Sequence, residues 1–249
     1  MSNQPSLPNM AIILAAGFGM RMRPITDTIP KPLICVADKP LIQFNLDALA
    51  NYGVSDVVVN IHYLAEDMIK FLQTIKNPKI HISHEVEKLL DSGGGIKNAL
   101  PRLSSAPFFV LNADSFWVDG TQSNLARLAN AWDESRMDFL LMLASGTQVT
   151  GYNGNGDFIM DANGNLKRRP EKTVSPFVYS GVGIINPNIF KDTPDGPFSL
   201  NLLFDRAIEA GRLYGLRLDG DWYHVGTPDS IFEAEQKLVL NIPGSHNAH

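Results

Sequence analysis

Residues 11–33 have the sequence AIILAAGFGMRMRPITDTIPKPL, and this stretch decides the fold. The apolar run at residues 11–14 is followed at once by Gly17 and Gly19, which predicts a buried first strand that ends in a glycine turn. Small residues at such a turn let backbone N–H groups approach the phosphates or the base of a ligand closely. The stretch therefore indicates an α/β protein that binds a ligand at the end of its first strand.

Apolar runs and helical segments alternate along the first 145 residues. Further strands are predicted at residues 57–61, 80–82, 108–111 and 139–143. Helical spacing of apolar residues predicts helices at residues 41–52, 64–75 and 125–132. Strands that are apolar on both faces are typical of a mostly parallel sheet covered by helices on both sides. The later part of the chain predicts short strands and turns at residues 151–164, a strand at 177–185, and helices at 200–210 and 230–240.

The composition excludes several classes of protein. Of 249 residues 44% are hydrophobic, and the formal net charge is −5, so the chain lacks the basic surplus of nucleic-acid and anionic-membrane binders. The single cysteine, Cys35, cannot form an internal disulfide, and residues 1–9 show no signal-peptide pattern. No apolar run approaches the roughly 20 residues that span a bilayer. We therefore expect one cytoplasmic domain, residues 1–249, that binds neither nucleic acid nor membrane; the pattern leaves its oligomeric state open.

The glycine turn leads to a lysine between two prolines. A P-loop needs Gly-Lys-Ser/Thr after four spacer residues, which this stretch does not have, and the dinucleotide pattern Gly-x-Gly-x-x-Gly fails because its third position is Met22. Pro30 and Pro32 restrict the backbone around Lys31, and Pro32 favours an extended conformation there. A cation on a stiff backbone suits the stabilisation of a phosphoryl-transfer transition state. The alternative is a surface turn with a solvated lysine.

Two segments of this stretch together form a recognisable motif: Leu14-Ala15-Ala16-Gly17-x-Gly19-x-Arg21-Met22-x-Pro24-x-Thr26 and Pro30-Lys31-Pro32-Leu33. They resemble the signature of the sugar-1-phosphate nucleotidyltransferases, also called NDP-sugar pyrophosphorylases. Among these, the short enzymes of the N-acetylmuramate-1-phosphate uridylyltransferase and mannose-1-phosphate guanylyltransferase types are the most similar. The resemblance implies a Rossmann-like three-layer α/β sandwich with a mostly parallel, mixed central sheet. It also implies that about residues 10–145 bind the nucleotide and about 146–240 the sugar, with 241–249 as a tail.

In that family a sugar 1-phosphate attacks the α-phosphorus of a nucleoside triphosphate and releases pyrophosphate. The resemblance implies UTP and an N-acetylated sugar 1-phosphate as substrates, with GTP and mannose 1-phosphate as the alternative. Arg21 would hold the triphosphate, and Lys31 would stabilise charge on the α-phosphate. Residues 91–95, Asp-Ser-Gly-Gly-Gly, resemble the family's acidic-Thr-Gly-Gly-Gly loop, and a helix at 96–100 is expected to follow them. The implied nucleotide-binding residues are Leu14, Ala15, Ala16, Gly17, Gly19, Ser92, Gly93 and Gly94.

Two residues occupy the positions of the family's metal ligands. Asp114 follows the strand predicted at residues 108–111 and resembles the strand-end aspartate that ligates Mg²⁺. His224, within Trp-Tyr-His-Val-Gly-Thr at residues 222–227, stands where the family has a second aspartate. Imidazole suits Mn²⁺ or Zn²⁺ better than Mg²⁺. Three interpretations stay open: His224 ligates the metal, Asp221 substitutes for it, or His224 hydrogen-bonds phosphate. The predicted cofactor is Mg²⁺, with Mn²⁺ as the alternative.

The sugar site is implied by two further segments. Residues 156–158, Gly-Asp-Phe, resemble a motif of the muramate-type enzymes, and residues 179–181, Tyr-Ser-Gly, resemble the strand that walls the family's sugar pocket. The implied sugar-binding residues are Asn112, Gly156, Asp157, Ser180 and Gly181. Two rival hypotheses are kept. One is a non-catalytic regulator that binds a nucleotide-sugar, which His224 at a metal position favours; the other is a dinucleotide-dependent oxidoreductase, which Met22 disfavours.

Overall fold

The computed structural model describes residues 7–240, except for the side chains of Thr147 and Leu240. The first six residues and the tail predicted at 241–249 lie outside the described residues. The helices are α1 (Leu41–Tyr52), α2 (Ala65–Leu72), α3 (Asp91–Ala99), α4 (Asn124–Ala131), α5 (Asn201–Glu209) and α6 (Pro228–Leu240). The strands are β1 (Met10–Leu14), β2 (Cys35–Val36), β3 (Lys39–Pro40), β4 (Asp56–Ile61), β5 (Lys79–His84), β6 (Phe108–Asn112), β7 (Ser115–Asp119), β8 (Phe139–Ser145), β9 (Val149–Thr150), β10 (Phe158–Met160), β11 (Leu166–Arg168), β12 (Phe177–Ile185), β13 (Leu213–Arg217) and β14 (Gly220–His224).

The central sheet is mixed and mostly parallel, as the sequence predicts. Its main order is β5-β4-β1-β6-β12-β8-β13, and the β10–β11 hairpin extends it beside the first residue of β12. The pairs β1–β4, β1–β6, β4–β5 and β8–β13 are parallel. Strand β12 runs antiparallel to both β6 and β8. Because β1, β4 and β6 are parallel, their carboxyl ends meet at one edge of the sheet, which is where open α/β sheets bind ligands.

Both faces of this sheet are covered by helices. Along β1, Ala11 and Ile13 belong to the apolar core that includes α1, α2 and α4, whereas Ile12 belongs to the core that includes α3 and α5. All three of these side chains are fully buried. Alternate residues of a strand point to opposite faces, so a strand that is apolar at every position must be covered twice. The result is the three-layer α/β/α sandwich expected from the sequence.

A small second sheet determines where the later part of the chain meets the first strand's turn. It has the order β7-β14-β9, and its aromatic residues Phe116 and Tyr223 stack with ring centroids 4.8 Å apart. They pack in one apolar cluster with Met22, so the residue that breaks the dinucleotide pattern anchors the glycine turn to this sheet. In the antiparallel pairing of β7 and β14, His224 lies opposite Ser115. This register brings His224 beside Asp114.

Helix α3 begins earlier than the sequence predicts. The expected helix at residues 96–100 starts at Asp91 instead, so the three glycines lie inside it. A Cβ atom on Gly93 would lie 2.4 Å from the ring of Phe198, and one on Gly94 would lie 2.4 Å from the carbonyl oxygen of Gly196. Glycine is a poor helix former, but here its missing side chain lets the helix pack directly on the 196–198 segment. Among residues 7–240, no helix is both long and apolar enough to cross a membrane.

Candidate active site

Two adjoining clefts open at the carboxyl ends of β1 and β6. The first has a volume of about 380 Å³ and the second about 120 Å³. Of the predicted site residues, the first cleft is lined by Leu14, Ala15, Ala16, Gly17, Gly19, Arg21, Lys31 and Ser92, and the second by Asp157, Ser180, Gly181 and His224. Asn112 and Asp114 line both clefts. A ligand in one cleft therefore meets a ligand in the other at these two residues.

The glycine turn presents unused backbone N–H groups to the first cleft. Gly19 has a positive φ of 64°, and a Cβ there would lie 2.8 Å from the side chain of Thr26. The Thr26 hydroxyl donates a hydrogen bond to the Gly19 carbonyl at 2.9 Å, which fixes this conformation. Ala16 and Gly17 line this cleft, and in the described part of the chain no protein acceptor takes their N–H groups. Successive free amides of this kind form an anion-binding concavity.

Two cations face this concavity. Lys31 Nζ lies 2.8 Å from Asp114 Oδ2, and only 13% of the lysine side chain is exposed. The expectation of an extended backbone at Lys31 is wrong, because this residue starts a single 3₁₀ turn, Lys31–Leu33, and only Pro30 before it is extended. Arg21 is exposed, and within residues 7–240 its guanidinium forms no ion pair or hydrogen bond. Its charge is thus available to an anionic ligand.

Asp114 is held ionised against the effect of burial. Burial alone would raise the pKa of the Asp114 carboxyl, but the charge of Lys31, the charge of His224 when it is protonated in acid, and the charge of Arg21 outweigh this effect and hold the pKa below its usual value. The Val225 N–H donates to the Asp114 carbonyl at 2.9 Å, which ties the end of β14 to this residue. Asp114 is therefore a fixed carboxylate at the point where the two clefts meet.

His224 is confined by aromatic rings and is held neutral. Its ring stacks on Trp222 at 5.8 Å between centroids and meets the Tyr152 ring edge-on at 6.3 Å. Burial, together with the charges of Lys31 and Arg21, lowers the pKa of His224, although Asp114 opposes this shift. A neutral imidazole can ligate a metal or accept a hydrogen bond.

The residues at the meeting point fit a metal ion that takes most of its ligands from substrate. They offer the Asp114 carboxylate and the neutral imidazole of His224. Across residues 7–240, no cluster of three or more His, Cys, Asp or Glu side chains could hold an ion by itself. Mg²⁺ in phosphate-transfer sites is commonly bound by one or two carboxylates plus phosphate oxygens and water, so this donor set is sufficient. Asp221 lines neither cleft and lies 2.8 Å from Lys237 Nζ.

The structure does not bring Gly93 and Gly94 to the first cleft. Both N–H groups donate to the carbonyl of Phe198, at 2.9 and 3.0 Å. The neighbouring Ser92 hydroxyl accepts the N–H of Leu200 at 2.9 Å. The start of α3 is thus capped by the protein's own 198–200 segment, and the prediction that these two glycines bind nucleotide stays a prediction. Ser92 and Asp91, which both belong to the predicted 91–95 loop, do line the cleft.

The second cleft is built by close approach of β12 to β6. Gly181 has a φ of 82°, and a Cβ on it would lie 2.9 Å from the side chain of Asn112, so only glycine permits this contact. Asp157 Oδ2 accepts the N–H of Tyr179 at 2.9 Å. The Ser180 hydroxyl donates to the Met142 carbonyl, so it is engaged within the protein. Gly156 does not line the cleft. Its positive φ of 78° forms the turn that precedes Asp157.

Sequence reasoning missed several residues that line the clefts. In the first cleft they are Met20, Pro32, Asn60, Leu89, Ala113 and Gly226. In the second they are Ser115, Tyr152, Val178, Tyr179 and Trp222. Trp222 and Tyr179 belong to the motifs at residues 222–227 and 179–181, and that membership was a usable signal. Asn60 stands inside an apolar strand, where a buried amide also signals a dedicated hydrogen-bonding role.

Comparison with known proteins shows which family this chain resembles. The family model described as Nucleotidyl transferase matches residues 10–240. The N-acetylmuramate alpha-1-phosphate uridylyltransferase of Caulobacter vibrioides is 43% identical over 236 residues, which are 93% of this chain and 98% of that protein. The mannose-1-phosphate guanylyltransferase catalytic subunit beta of Drosophila melanogaster is 30% identical over 239 residues, 92% of this chain and 63% of that protein. The solved structure of UDP-glucose pyrophosphorylase with UDP-glucose matches with a TM-score of 0.76 at 19% identity, covering 94% of this chain and 99% of that one, and shows the shared fold.

Proposed function

This chain belongs to the nucleotidyl transferase family, and from this membership we propose that it joins UTP to N-acetylmuramate α-1-phosphate, giving the UDP-sugar and pyrophosphate. The matching relatives are sugar-phosphate nucleotidyltransferases, and the one at 43% identity carries this specificity in its name. The observation that carries the proposal is the pair of clefts that meet at Asp114, with Lys31 2.8 Å from its carboxylate.

In the proposed reaction the nucleoside triphosphate lies in the first cleft. The N–H groups of Ala16 and Gly17 and the guanidinium of Arg21, which bind no other group among residues 7–240, would bind its phosphates. Leu14, Ala15 and Gly19 belong to the same turn, and Ser92 faces them across the cleft. All of these are proposed nucleotide contacts. Backbone amides suit this task because they bind anions without changing their own charge.

The sugar 1-phosphate would occupy the second cleft. A phosphate oxygen of the sugar attacks the α-phosphorus, the bond from that phosphorus to the bridging oxygen breaks, and pyrophosphate leaves. Lys31 would stabilise the negative charge that spreads over the α-phosphate, and Arg21 would hold the departing pyrophosphate. Such a reaction needs little covalent help from the protein, because positioning and charge supply most of the catalysis.

Asp114 and His224 are the residues that would hold a divalent ion, on which this family generally depends, and such an ion would supply positive charge to the reacting phosphates. Mg²⁺ is the proposed ion because carboxylate and phosphate oxygens are its preferred ligands. Mn²⁺ is the alternative that the His224 imidazole favours.

The sugar hydroxyl and acetamido groups would meet Asn112, Asp157, Ser180 and Gly181. Asp157 supports this assignment, because one carboxylate oxygen is bound to the Tyr179 N–H and the carboxylate lines the second cleft. Gly156 would act by turning the chain. A cytoplasmic location is proposed together with the substrates, since nucleoside triphosphates are cytoplasmic metabolites.

Guanylyl transfer to mannose 1-phosphate is the second candidate, because the 30% identical Drosophila relative carries that name. Pyrophosphate release decides between them. UTP, GTP, CTP, dTTP and ATP would each be paired with N-acetylmuramate, N-acetylglucosamine, glucose and mannose 1-phosphates, first with Mg²⁺ and then with Mn²⁺. We expect the fastest release from UTP with N-acetylmuramate 1-phosphate. Fastest release from GTP with mannose 1-phosphate would establish the second candidate, and nucleotide binding without any release would favour a regulator.

A further inference from the structure

The first cleft has two walls that come from different parts of the chain. One wall is the glycine turn after β1, and the other is the 89–92 segment at the start of α3. The two walls are not parts of one helix or strand, so no single element fixes the distance between them. Asn60, near the end of β4, lies between them and lines the cleft.

A buried relay of hydrogen bonds joins the two walls. The Ala15 N–H donates to Asn60 Oδ1 at 2.8 Å, and Asn60 Nδ2 donates to Glu85 Oε1 at 2.8 Å. The Leu90 N–H donates to Glu85 Oε2, also at 2.8 Å. Asn60 and Glu85 are each only 3% exposed. A Cβ on Gly95 would lie 2.7 Å from Asn60 Nδ2 and 2.8 Å from Glu85 Oε1, so a glycine there leaves room for the relay.

The chemistry of this relay allows one arrangement of donors and acceptors. A backbone N–H can only donate, so Asn60 must turn its oxygen to Ala15 and its NH₂ to residue 85. Residue 85 then receives donors on both sides, from Asn60 and from Leu90. A carboxylate accepts on both oxygens, whereas an amide of the same shape has one acceptor and one donor. Glu85 therefore has a chemical reason to be a carboxylate although it does not line the cleft.

We propose that Asn60 and Glu85 are positioning residues that fix the separation of the two walls of the nucleotide cleft and thereby set its affinity for the nucleotide. The proposal rests on the proposed nucleotide-binding function of that cleft. Both residues act through the backbone of Ala15 and Leu90, at the ends of the relay.

The decisive variant is Glu85→Gln. It keeps the shape of the side chain but sets an NH₂ against either the Asn60 NH₂ or the Leu90 N–H, which leaves a buried donor without an acceptor. We expect UTP to bind about tenfold more weakly, as measured by calorimetry without sugar phosphate. At saturating UTP, the KM for the sugar 1-phosphate should stay unchanged. Removing a negative charge near a triphosphate would by itself strengthen binding, so a loss cannot be an effect of charge alone.

A double variant, Asn60→Asp with Glu85→Gln, restores the pairing with the roles exchanged. The carboxylate introduced at position 60 would accept from Ala15 and from the new amide at position 85, whose oxygen would accept from Leu90. We expect its UTP affinity to return to within about threefold of the wild type, while Asn60→Asp alone, which sets two carboxylates face to face, stays weak. The matched control is Asn124→Asp, which turns a buried amide bound to Asp119 into a carboxylate outside both clefts. It should lower the melting temperature and leave the UTP affinity unchanged.

The results distinguish a failure of the Asn60–Glu85 relay from a failure of the proposed nucleotidyl transfer. Weak binding by Glu85→Gln with recovery in the double variant supports the relay, even if the pyrophosphate assay rejects every sugar phosphate. If Glu85→Gln does not fold, recovery of folding and UTP affinity in the double variant still supports it. Wild-type affinity in Glu85→Gln, no recovery in the double variant, or a wild-type protein that binds neither UTP nor GTP would overturn it.

Discussion

Replacing Lys31 by methionine removes one charge from the meeting point of the two clefts. Methionine has a similar length and an apolar stem, so the packing around the side chain is kept. The lysine and Asp114 side chains are 13% and 29% exposed, and their charged atoms lie 2.8 Å apart. Breaking a fully buried ion pair by removing one partner costs about 3–5 kcal/mol. Because the Asp114 side chain still reaches solvent, we expect a loss of about 2 kcal/mol in the free energy of unfolding.

Lys31→Met should raise the activation free energy of the reaction by more than it lowers the free energy of unfolding. A preorganised group that meets charge developing in the transition state contributes about 10²–10³-fold to kcat. We therefore expect Lys31→Met to lower kcat for pyrophosphate release by about 10²-fold or more, measured at saturating UTP and sugar phosphate. Lys31→Arg, which keeps the charge with a different shape, should retain more activity. A Lys31→Met enzyme with more than about a tenth of the wild-type kcat would refute the role assigned to this lysine.

The same variant should change the acid stability of the protein. Burial raises the pKa of Asp114, and the charges of Lys31, His224 and Arg21 bring it below its usual value of 3.8. A lowered pKa in the folded state contributes stability above pH 3.8 that is lost as the pH falls through the lower, folded value. Without Lys31 this pKa rises towards or above the unfolded value, so the Asp114 carboxyl contributes a smaller acid loss, and urea unfolding should show a shallower fall in the free energy of unfolding with falling pH than in the wild type. Identical acid profiles for the two proteins would contradict the coupling.

Three further substitutions test separate parts of the site. Gly19→Ala should cost about 1–2 kcal/mol of unfolding free energy, because φ is 64° and the new Cβ would lie 2.8 Å from Thr26. Gly17→Ala, with no atom within 4 Å of its Cβ, is the matched control and should leave urea unfolding unchanged. His224→Asp should raise the rate with Mg²⁺ relative to Mn²⁺, since carboxylate is the harder ligand, and an unchanged ratio would place His224 outside the metal's reach. Burial raises the pKa of Tyr179, and its hydroxyl has no partner among the described residues, so Tyr179→Phe should keep or raise the free energy of unfolding by up to about 1 kcal/mol; a clear loss in calorimetry would contradict this.

Much of the fold could be predicted because its signals are local. The predicted helix at residues 41–52 and strand at 177–185 have the observed bounds, since their apolar residues recur with the periods of a helix and a buried strand. Strands β7, β13 and β14 were not predicted. Each is short and combines buried with partly or fully exposed positions, so neither a continuous apolar run nor strict alternation identifies it.

The residues of the site also fall into two groups, those that a local sequence signal identifies and those that it does not. The glycine turn, Lys31 and Asp114 were identified from the sequence, because each follows a strand or belongs to a contiguous motif. The predicted contact of Gly93 and Gly94 with nucleotide rested on the same kind of motif, but the 198–200 segment occupies their N–H groups in the folded protein. A local sequence pattern cannot show which distant segment accepts the hydrogen bonds of these N–H groups.

By itself, the sequence determined a doubly covered, mostly parallel sheet with a cationic glycine turn at the end of its first strand, because backbone conformation and apolar periodicity are properties of neighbouring residues. Only the tertiary structure decided that His224 lies beside Asp114, through the pairing of β14 with β7. It also decided that Asn60 and Glu85 join the walls of the first cleft. These relations depend on strand register and on hydrogen bonds between distant segments, which exist only once the chain has packed.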